Sequence, residues 1–440
     1  GGGGGGSGGG VLLTAPAFQL DGEINVEGGT AGASGSATTS YANEGGDGGG
    51  GRVRLATSAS MWMKSGVVSV GTSDIVSGGS YTTDLVISTN TKVNTDDGIT
   101  GIFDKTTGEF RVRNFTLKAG VTLTVEGTRP LKLIASGNVD IQGTIVAEGG
   151  RAGGHPERDK YETYLGNNTA FNIWYIIYSS YAPGPTWGEG GPGGGQGGNN
   201  GATKSIQYSN GWYSQHSTMI GANPGYGWDG KKGGKGAGLG GKSNAKSYAP
   251  STSYSYLYYY YTGAGAGGTC AAPGGEEGWD ATHSTYGHGT AGKPQNSATH
   301  QIDLADYTPK TVPGGAGGGG GAPGGYRYSN SSGYIYYYPF GPGSGGGGGG
   351  GGVGILADGT VNLGGTYKLG GGEGGGHIYS YAGYSAAGGG GSGGNFMVHS
   401  GKGITFSGPI IETGGGLGGW NKMYTYTSYA VTSYGGDGGP

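Results

Sequence analysis

The sequence is short of cysteine, of charge and of long apolar runs, and each shortage excludes a class of protein. Its one cysteine, Cys270, excludes a disulfide framework within the chain. Charged residues make up 12%, and the formal net charge of −3 gives no electrostatic basis for binding nucleic acid. No run of about 18 apolar residues occurs, so we expect no membrane-spanning helix. No signal peptide precedes the opening Gly1–Gly6, and we expect a mature or trimmed product.

Large aliphatic side chains are also too few for an ordinary globular core, whereas glycine and tyrosine are abundant. The chain has 116 glycines and 33 tyrosines among 440 residues, and glycine usage in proteins averages about 7%. A collagen triple helix is excluded, because there is no Gly-X-Y period and proline is scarce. Low charge and many aromatic residues disfavour simple disorder. We therefore expect a chain that orders mainly through backbone hydrogen bonds.

An alternating apolar pattern that ends in Gly-Gly recurs along the chain. One copy is Val139, Ile141, Gly143, Ile145 and Ala147, followed by Gly149 and Gly150. Further copies begin at Phe18, at Val361 and at Ile404 (which continues through Phe406, Gly408 and Ile410), and a degenerate copy begins at Val68. Each follows a short strand-like segment, and these segments are Val11–Thr14, Arg52–Ala56, Leu131–Ala135, Val353–Ala357 and Phe396–Ser400.

Period-two alternation predicts strands with one buried face, and the glycine in the middle of each copy predicts a bend. A single copy cannot bury its own face, so the copies are expected to stack. We predict an all-β fold: a glycine-rich β-solenoid of stacked short strands, with extended polyglycine-type segments and Tyr/Gly-rich loops. An antiparallel sandwich or barrel is the alternative, but it needs hairpin signals between the strands, and these are few.

The distribution of the copies divides the chain into three parts. Residues 1–150 and 341–440 are expected to form N-terminal and C-terminal solenoid parts, and residues 151–340 a Gly/Tyr-rich loop or insertion region. The glycine runs between copies, such as Gly345–Gly352 and Gly388–Gly391, have two interpretations. They are either flexible linkers or packed helices of the polyproline II type, which have three residues per turn.

Two short patterns suggest chemistry, and neither has the context that the chemistry needs. Gly236, Gly241, Lys242 and Ser243 match a phosphate-binding loop, but no helical period follows them. The acidic residues and histidines between Glu276 and His288 lack a metal-ligand spacing. We therefore expect no catalytic residues, no metal and no cofactor, and we predict that the protein is not an enzyme. A solenoid enzyme acting on polysaccharides is the less favoured alternative.

Tyrosine is the residue type that most favours a binding role. It presents a flat amphipathic ring at low entropic cost and is common at binding surfaces. Consecutive tyrosines cannot all point to one face of a strand, so some must lie outside a core. The candidate surface or interface residues are Tyr175, Tyr178, Tyr258, Tyr259, Tyr260, Tyr261, Tyr336, Tyr337 and Tyr338.

The stretch from Leu133 through Ile145, followed by Gly149 and Gly150, resembles the repeats of glycine-rich β-helix surface proteins and large secreted adhesins. The long glycine tracts also resemble those of phage tail-fibre adhesins built from packed polyglycine helices. These resemblances imply an extracellular or cell-surface location and a role in adhesion or fibre building. We expect the subunit of a filament or surface fibre, and the alternative is a viral receptor-binding tail-fibre protein.

The expected partners follow from the ends of the sequence. The glycine-rich start leads straight into a strand, and the last residues match those that precede the strand Arg52–Ala56. Either the chain is a fragment of a longer repetitive protein, or copies join head to tail as a homopolymer. Carbohydrate or a cell surface is a further expected partner, and nucleic acid and a membrane span are not expected.

Overall fold

The computed structural model describes part of the chain. The described residues are 2–32, 45–56, 60–62, 81–99, 101–152, 187–199, 202–203, 219–220, 225, 227, 243–248, 256–262, 265–270, 306–321, 324–329, 335–341, 344–379, 387–419 and 421–423. In 60–62, 202–203, 219–220, 243–248, 256–262, 324–329, 335–341, 377–379 and 421–423 only the backbone is described. These residues form β-strands and extended segments, and they contain no α-helix.

Three sheets of mainly parallel strands form the largest part of the described fold. Sheet A contains β1 (Gly10–Thr14), β4 (Arg52–Ala56), β8 (Phe103–Asp104), β9 (Glu109–Val112), β12 (Leu131–Ala135), β21 (Gly352–Ala357) and β25 (Asn395–Ser400). Sheet B contains β2 (Ala17–Gln19), β5 (Ser60–Trp62), β6 (Leu85–Ile87), β10 (Phe115–Leu117), β13 (Val139–Ile141), β22 (Thr360–Leu363) and β26 (Gly403–Phe406). Sheet C contains β3 (Glu23–Asn25), β7 (Thr91–Asn94), β11 (Thr122–Glu126), β14 (Thr144–Val146), β23 (Thr366–Lys368) and β27 (Ile410–Glu412).

The remaining strands form smaller sheets. An antiparallel sheet contains β17 (Ser243–Tyr248), β18 (Tyr256–Thr262), β19 (Gly324–Ser329) and β20 (Ile335–Gly341). Two strand pairs complete the described elements: β15 (Ala202–Thr203) with β16 (Met219–Ile220), and β24 (His377–Tyr379) with β28 (Asn421–Met423).

The predicted β-solenoid is wrong, because the repeats do not follow one another as a continuous succession along the chain: in all three sheets the N-terminal strands lie beyond the C-terminal ones. Three consecutive strands, one in each of sheets A, B and C, form a unit that we call a triplet. In sheet A the strands lie in the order β4, β1, β25, β21, β12, β9 and β8. Val11 of β1 therefore pairs with Val53 on one side and with Phe396, from the other end of the chain, on the other. In a continuous solenoid the first and last repeats lie at opposite ends of the stack. Here the strands from residues 85–146, 352–412 and 10–62 follow one another in that order in one stack of mainly parallel sheets.

The hydrophobic core lies between the three sheets. Alternating side chains of each strand point inward, so Ile141 and Phe406 are buried at 0% and 3% exposure. The rings of Tyr367 and Phe396 pack with centroids 4.7 Å apart. A second small cluster covers the outer face of sheet A, and it consists of Leu12, Cys270, Val312, Met397 and Tyr307.

One detail of the predicted repeat is also wrong, and another lies outside the described residues. In the copy that begins at Ile404, Ile411 is buried and pairs with Ile24 and Tyr367, whereas Ile410 is 40% exposed. The turn at Gly408, where φ is +80°, shifts the inward positions of β27 by one residue. Ahead of the degenerate copy, Met61 pairs with Phe18. The strand that aligns with Phe18 in this part of the chain is therefore β5, and the predicted copy that begins at Val68 lies outside the described residues.

The glycine-rich segments lie side by side and bond to one another, and we call them the glycine bundle. The bundle consists of residues 2–9, 26–32, 45–51, 147–152, 187–199, 265–270, 313–321, 344–351, 369–376, 387–394 and 413–419. Within segment 387–394, Gly391, Ser392 and Gly393 donate to carbonyls of three different segments, at Gly372, Ala316 and Ser7. Gly394 then returns to the first of these segments, at Leu369. A repeat of three residues without bonds inside the segment is the geometry of a polyproline II helix.

Glycine is required in the bundle because backbones touch where a side chain would begin. A Cβ atom added to Gly6 would overlap the carbonyl group of Gly391, and one added to Gly391 would overlap that of Gly348. Exposed side chains are found where a segment faces outward, as at Glu27, Thr30 and Leu417. The bundle thus replaces a side-chain core with hydrogen-bonded backbone.

The two ends of the triplet stack differ. At one end, β8 folds back antiparallel to β9 and places the ring of Phe103 4.8 Å from that of Phe110. Arg111 holds β8 against β9 through ion pairs of 2.8 Å to Asp104 and 2.9 Å to Glu109, whereas β6 and β7 are the edge strands of sheets B and C at this end. We call it the capped end. At the other end, β3, β4 and β5 are the edge strands of their sheets. Among the described strands none pairs with their outer edges, and we call it the open end.

Candidate adhesive surface

The antiparallel sheet lies at the end of the glycine bundle that is remote from the triplets. Segments 313–321 and 344–351 run in opposite directions, because Gly315 donates to Gly350 and Gly318 to Gly347. Segment 344–351 leads directly into β21 of the triplet stack. Strands β19 and β20 connect the opposite ends of these two segments, so the bundle separates the antiparallel sheet from the triplets.

The sheet brings together two of the three tyrosine groups predicted from the sequence. Tyr258–Tyr261 lie in β18 and Tyr336–Tyr338 in β20, and β19 pairs with both strands. Tyr326 of β19 is the register partner of Tyr259 on one side and of Tyr338 on the other. Tyr328 is likewise the partner of Leu257 and Tyr336.

Period-two alternation assigns these positions to two faces. Partners across strands share a face, so one face carries seven tyrosine positions, and we call it the tyrosine face. Its members are Tyr248, Tyr259, Tyr261, Tyr326, Tyr328, Tyr336 and Tyr338, with Lys246 beside them. The opposite face carries Tyr256, Tyr258, Tyr260 and Tyr337 together with Arg327. The predicted residues therefore divide between the two faces, and the sheet has a tyrosine-dense side.

Some positions on the tyrosine face were missed by reasoning from sequence, and other candidates lie outside the described residues. The alternation Tyr-Arg-Tyr at Tyr326 and Tyr328 was a usable signal in the sequence. The position of β19 between β18 and β20 could not be predicted from the sequence. Tyr175 and Tyr178 lie outside the described residues, as does the cluster between Glu276 and His288. In the phosphate-loop pattern, Ser243 begins strand β17, where nucleotide binding needs a helix.

The charged groups of the triplet stack form turns and ion pairs. Asp84 accepts hydrogen bonds from Arg113 (2.8 and 2.6 Å) and from the Asn114 side chain (2.9 Å). The Arg113 bond, followed by the Asn114 bond, lowers the pKa of Asp84 to about 2. Asn114 Oδ1 in turn accepts from the backbone of Asn138, and Asn138 Oδ1 from that of Thr360. This series of hydrogen bonds, from Asp84 through Asn114 and Asn138 to Thr360, fixes the corner between sheets A and B in successive layers. The role of these residues is therefore structural.

We predict that Asp84→Asn lowers thermal stability at neutral pH and loses its effect in acid. The folded-state pKa of Asp84 is about 2, against an ordinary value of 3.8. Its stabilisation is therefore present above pH 3.8 and is lost as the pH falls toward about 2. Thermal unfolding of both proteins at pH 7, 4, 3 and 2 is the measurement. Asp97→Asn, at an exposed carboxylate, is the control, and an Asp84→Asn effect that is constant over this range would contradict the prediction.

Among the described residues, four buried side-chain polar atoms have no hydrogen-bond partner, at Thr269, Ser344, Tyr367 and His399, and the two titratable ones are Tyr367 and His399. Burial raises the pKa of Tyr367 well above its ordinary value, with the charge of Asp140 adding to the effect. Burial lowers the pKa of His399, whose Nε2 is unpaired inside the fold. Within the described residues, no group of three His, Cys, Asp or Glu side chains is placed to hold a metal ion. The same part of the chain has no helix long and apolar enough to cross a bilayer.

Comparison with known proteins gives no assignment: no family model, no curated protein and no solved structure matches this chain.

Proposed function

We propose that this chain is an extracellular structural and adhesive protein, in which the glycine bundle holds a tyrosine-bearing sheet away from the triplet stack. The observation that carries the proposal is the gathering of seven tyrosine positions on one face of the antiparallel sheet. That sheet lies at the far end of a bundle whose backbones are bonded in three directions. Rigid support of a recognition element reduces the entropy lost on binding.

The composition of the tyrosine face indicates the chemistry of its target. Tyrosine combines an aromatic ring with a hydroxyl group, so it suits surfaces that are partly apolar and rich in hydrogen-bonding groups. Lys246 is the one charged residue among the described positions of this face. A neutral carbohydrate or a cell surface rich in carbohydrate is therefore the target that we propose. The proposal includes no cofactor and no catalytic step.

We predict that the double variant Tyr326→Ser, Tyr328→Ser binds its target at least about tenfold more weakly than the unmodified protein. Each aromatic contact contributes about 0.5–1.5 kcal/mol, and about 1.4 kcal/mol corresponds to tenfold. The matched control is Tyr258→Ser, Tyr337→Ser, which removes two tyrosines from the opposite face. Binding to a glycan array, to insoluble polysaccharides and to intact cells is measured, with circular dichroism as the check on folding. Equal losses in the two double variants would refute the assignment of the tyrosine face.

A viral receptor-binding fibre protein is a second candidate, favoured by the packed glycine bundle. The resemblance to tail-fibre adhesins rests on such packing. For this candidate we expect binding to a narrow range of host strains, whereas for a general adhesin we expect binding to many surfaces. Binding of the purified protein to a panel of bacterial strains separates the two candidates.

A further inference from the structure

Among the described strands, tyrosines lie directly opposite one another only on the tyrosine face of the antiparallel sheet. Tyr326 of β19 is the register partner of Tyr259 in β18 and of Tyr338 in β20. Tyr328 of β19 is the partner of Tyr336 in β20. Directly opposite residues of antiparallel strands have Cβ atoms about 4.5–5.5 Å apart. The backbone therefore places five tyrosines in three close pairs.

The opposite face of the sheet also carries tyrosines but contains no such pair. Tyr258 and Tyr337 are both register partners of Arg327, which separates them across β19. Tyr256 and Tyr260 have a serine and a glycine as their partners in β19. Close pairing of tyrosines is thus a property of the tyrosine face, and the opposite face provides an internal comparison.

Aromatic packing alone does not require tyrosine at these positions. In the triplet stack, β8 and β9 have a paired position of the same kind, and Phe103 and Phe110 occupy it with ring centroids 4.8 Å apart. Phenylalanine therefore suffices for the packing of a cross-strand aromatic pair. The pairs of the tyrosine face add a phenol on each side, and the phenol is the group that one-electron oxidants attack.

Paired phenols offer a covalent link that this chain cannot obtain from cysteine. Its one cysteine, Cys270, cannot form a disulfide within the chain. Loss of one electron and one proton converts a tyrosine phenol to a phenoxyl radical. Two such radicals couple through the ring carbons next to the oxygen when the chain holds the two residues close together.

We propose that the paired tyrosines of the tyrosine face are sites of oxidative coupling, at which a haem peroxidase with hydrogen peroxide joins β19 to β18 or to β20 through a dityrosine bond. One ring C–H bond of each tyrosine breaks, and one C–C bond forms between the two rings. The two electrons and two protons that are released reduce one hydrogen peroxide to two water molecules. Both hydroxyl groups remain. This modification goes beyond the proposed adhesive function and does not depend on which surface the protein binds.

The coupling would fix the sheet to the glycine bundle that carries it. Tyr259 and Tyr326 lie on either side of the bundle segments 265–270 and 313–321 in the sequence. A bond between them closes a long loop of chain that contains both segments, and closing a long loop restricts the unfolded state. The coupled protein is therefore expected to have a higher melting temperature than the uncoupled one.

Tyr326→Phe, Tyr328→Phe tests the proposal, and Tyr258→Phe, Tyr337→Phe is the matched control on the opposite face. Each double variant removes two phenols and keeps both rings. The purified proteins are treated with a haem peroxidase and hydrogen peroxide, digested with trypsin and analysed by tandem mass spectrometry. Cleavage after Arg327 separates Tyr326 from its partner in β20, and cleavage after Lys310 separates it from its partner in β18. A bond to Tyr326 is therefore detected as two linked peptides that have lost two hydrogen atoms.

We expect dityrosine within single chains of the unmodified protein and of the control in similar yield. Tyr326→Phe, Tyr328→Phe is expected to lose it, and unfolding in denaturant before oxidation is expected to remove the preference for the three pairs. The proposal is overturned if the unmodified protein forms no dityrosine within one chain, if its bonds join mainly other tyrosines, or if the two double variants, both folded by circular dichroism, couple equally. No binding target is present in this assay, so its failure and the failure of the adhesive function are distinguishable.

Discussion

Replacing Gly6 with alanine is expected to unfold the protein or to lower its free energy of unfolding by at least about 3 kcal/mol. The added methyl group would overlap the carbonyl group of Gly391. The neighbouring segment cannot move aside freely, because the N–H of Gly391 is itself bonded to Gly372 at 2.9 Å. The cost therefore comes from displacing backbone that is bonded in several directions.

Gly50→Ala is the matched control for Gly6→Ala. Its nearest neighbour among the described residues would be 4.0 Å away, so the change in stability is expected to stay within about 0.5 kcal/mol. Denaturant unfolding followed by far-ultraviolet circular dichroism measures both variants. If Gly6→Ala proved as stable as Gly50→Ala, the glycine segments would not be packed as described.

Phe406→Asp is expected to be the most damaging change in the triplet stack. Phe406 is 3% exposed in the core between the sheets, and an aspartate there would bury an unpaired charge or keep its proton at a cost of several kcal/mol. Loss of the aromatic side chain adds about 3–5 kcal/mol. We expect a protein that does not fold to a cooperative unit, measured by the loss of its thermal transition.

Thr405→Asp is the control on the adjacent residue. Thr405 is exposed on the outer face of the same strand, β26. The same carboxylate there stays in water, so stability is expected to change by no more than about 0.5 kcal/mol. Similar losses from the two substitutions would contradict the inward and outward alternation that defines the core.

The period-two pattern was enough to predict the strands and most of their inward residues, such as Ile141 and Phe406. It did not predict that the N-terminal strands β1, β2 and β3 stack on the C-terminal strands β25, β26 and β27. Each triplet presents similar alternating apolar residues, so the pattern allows any of them to stack on any other.

Local geometry explains the smaller errors. The turn at Gly408 places Ile411 rather than Ile410 in the core, and a strict period carried across a turn cannot detect this shift. The tyrosine groups at 258–261 and 336–338 were found from composition. The face that they share depends on β19, because the pairing of Tyr326 with both groups is a contact distant in sequence.

Hydrogen exchange of segment 387–394 tests most directly whether the glycine bundle is the rigid support that the proposed function needs. Each N–H from Gly388 to Gly394 is bonded to another segment, so exchange should require opening of the bundle. We predict that the amides of this segment in the folded protein exchange at least about a thousandfold more slowly than those of an unstructured glycine peptide. Mass spectrometry of a proteolytic peptide that covers the segment measures the exchange. Exchange at the rate of the unstructured peptide would contradict the bundle and leave the glycine runs as flexible linkers.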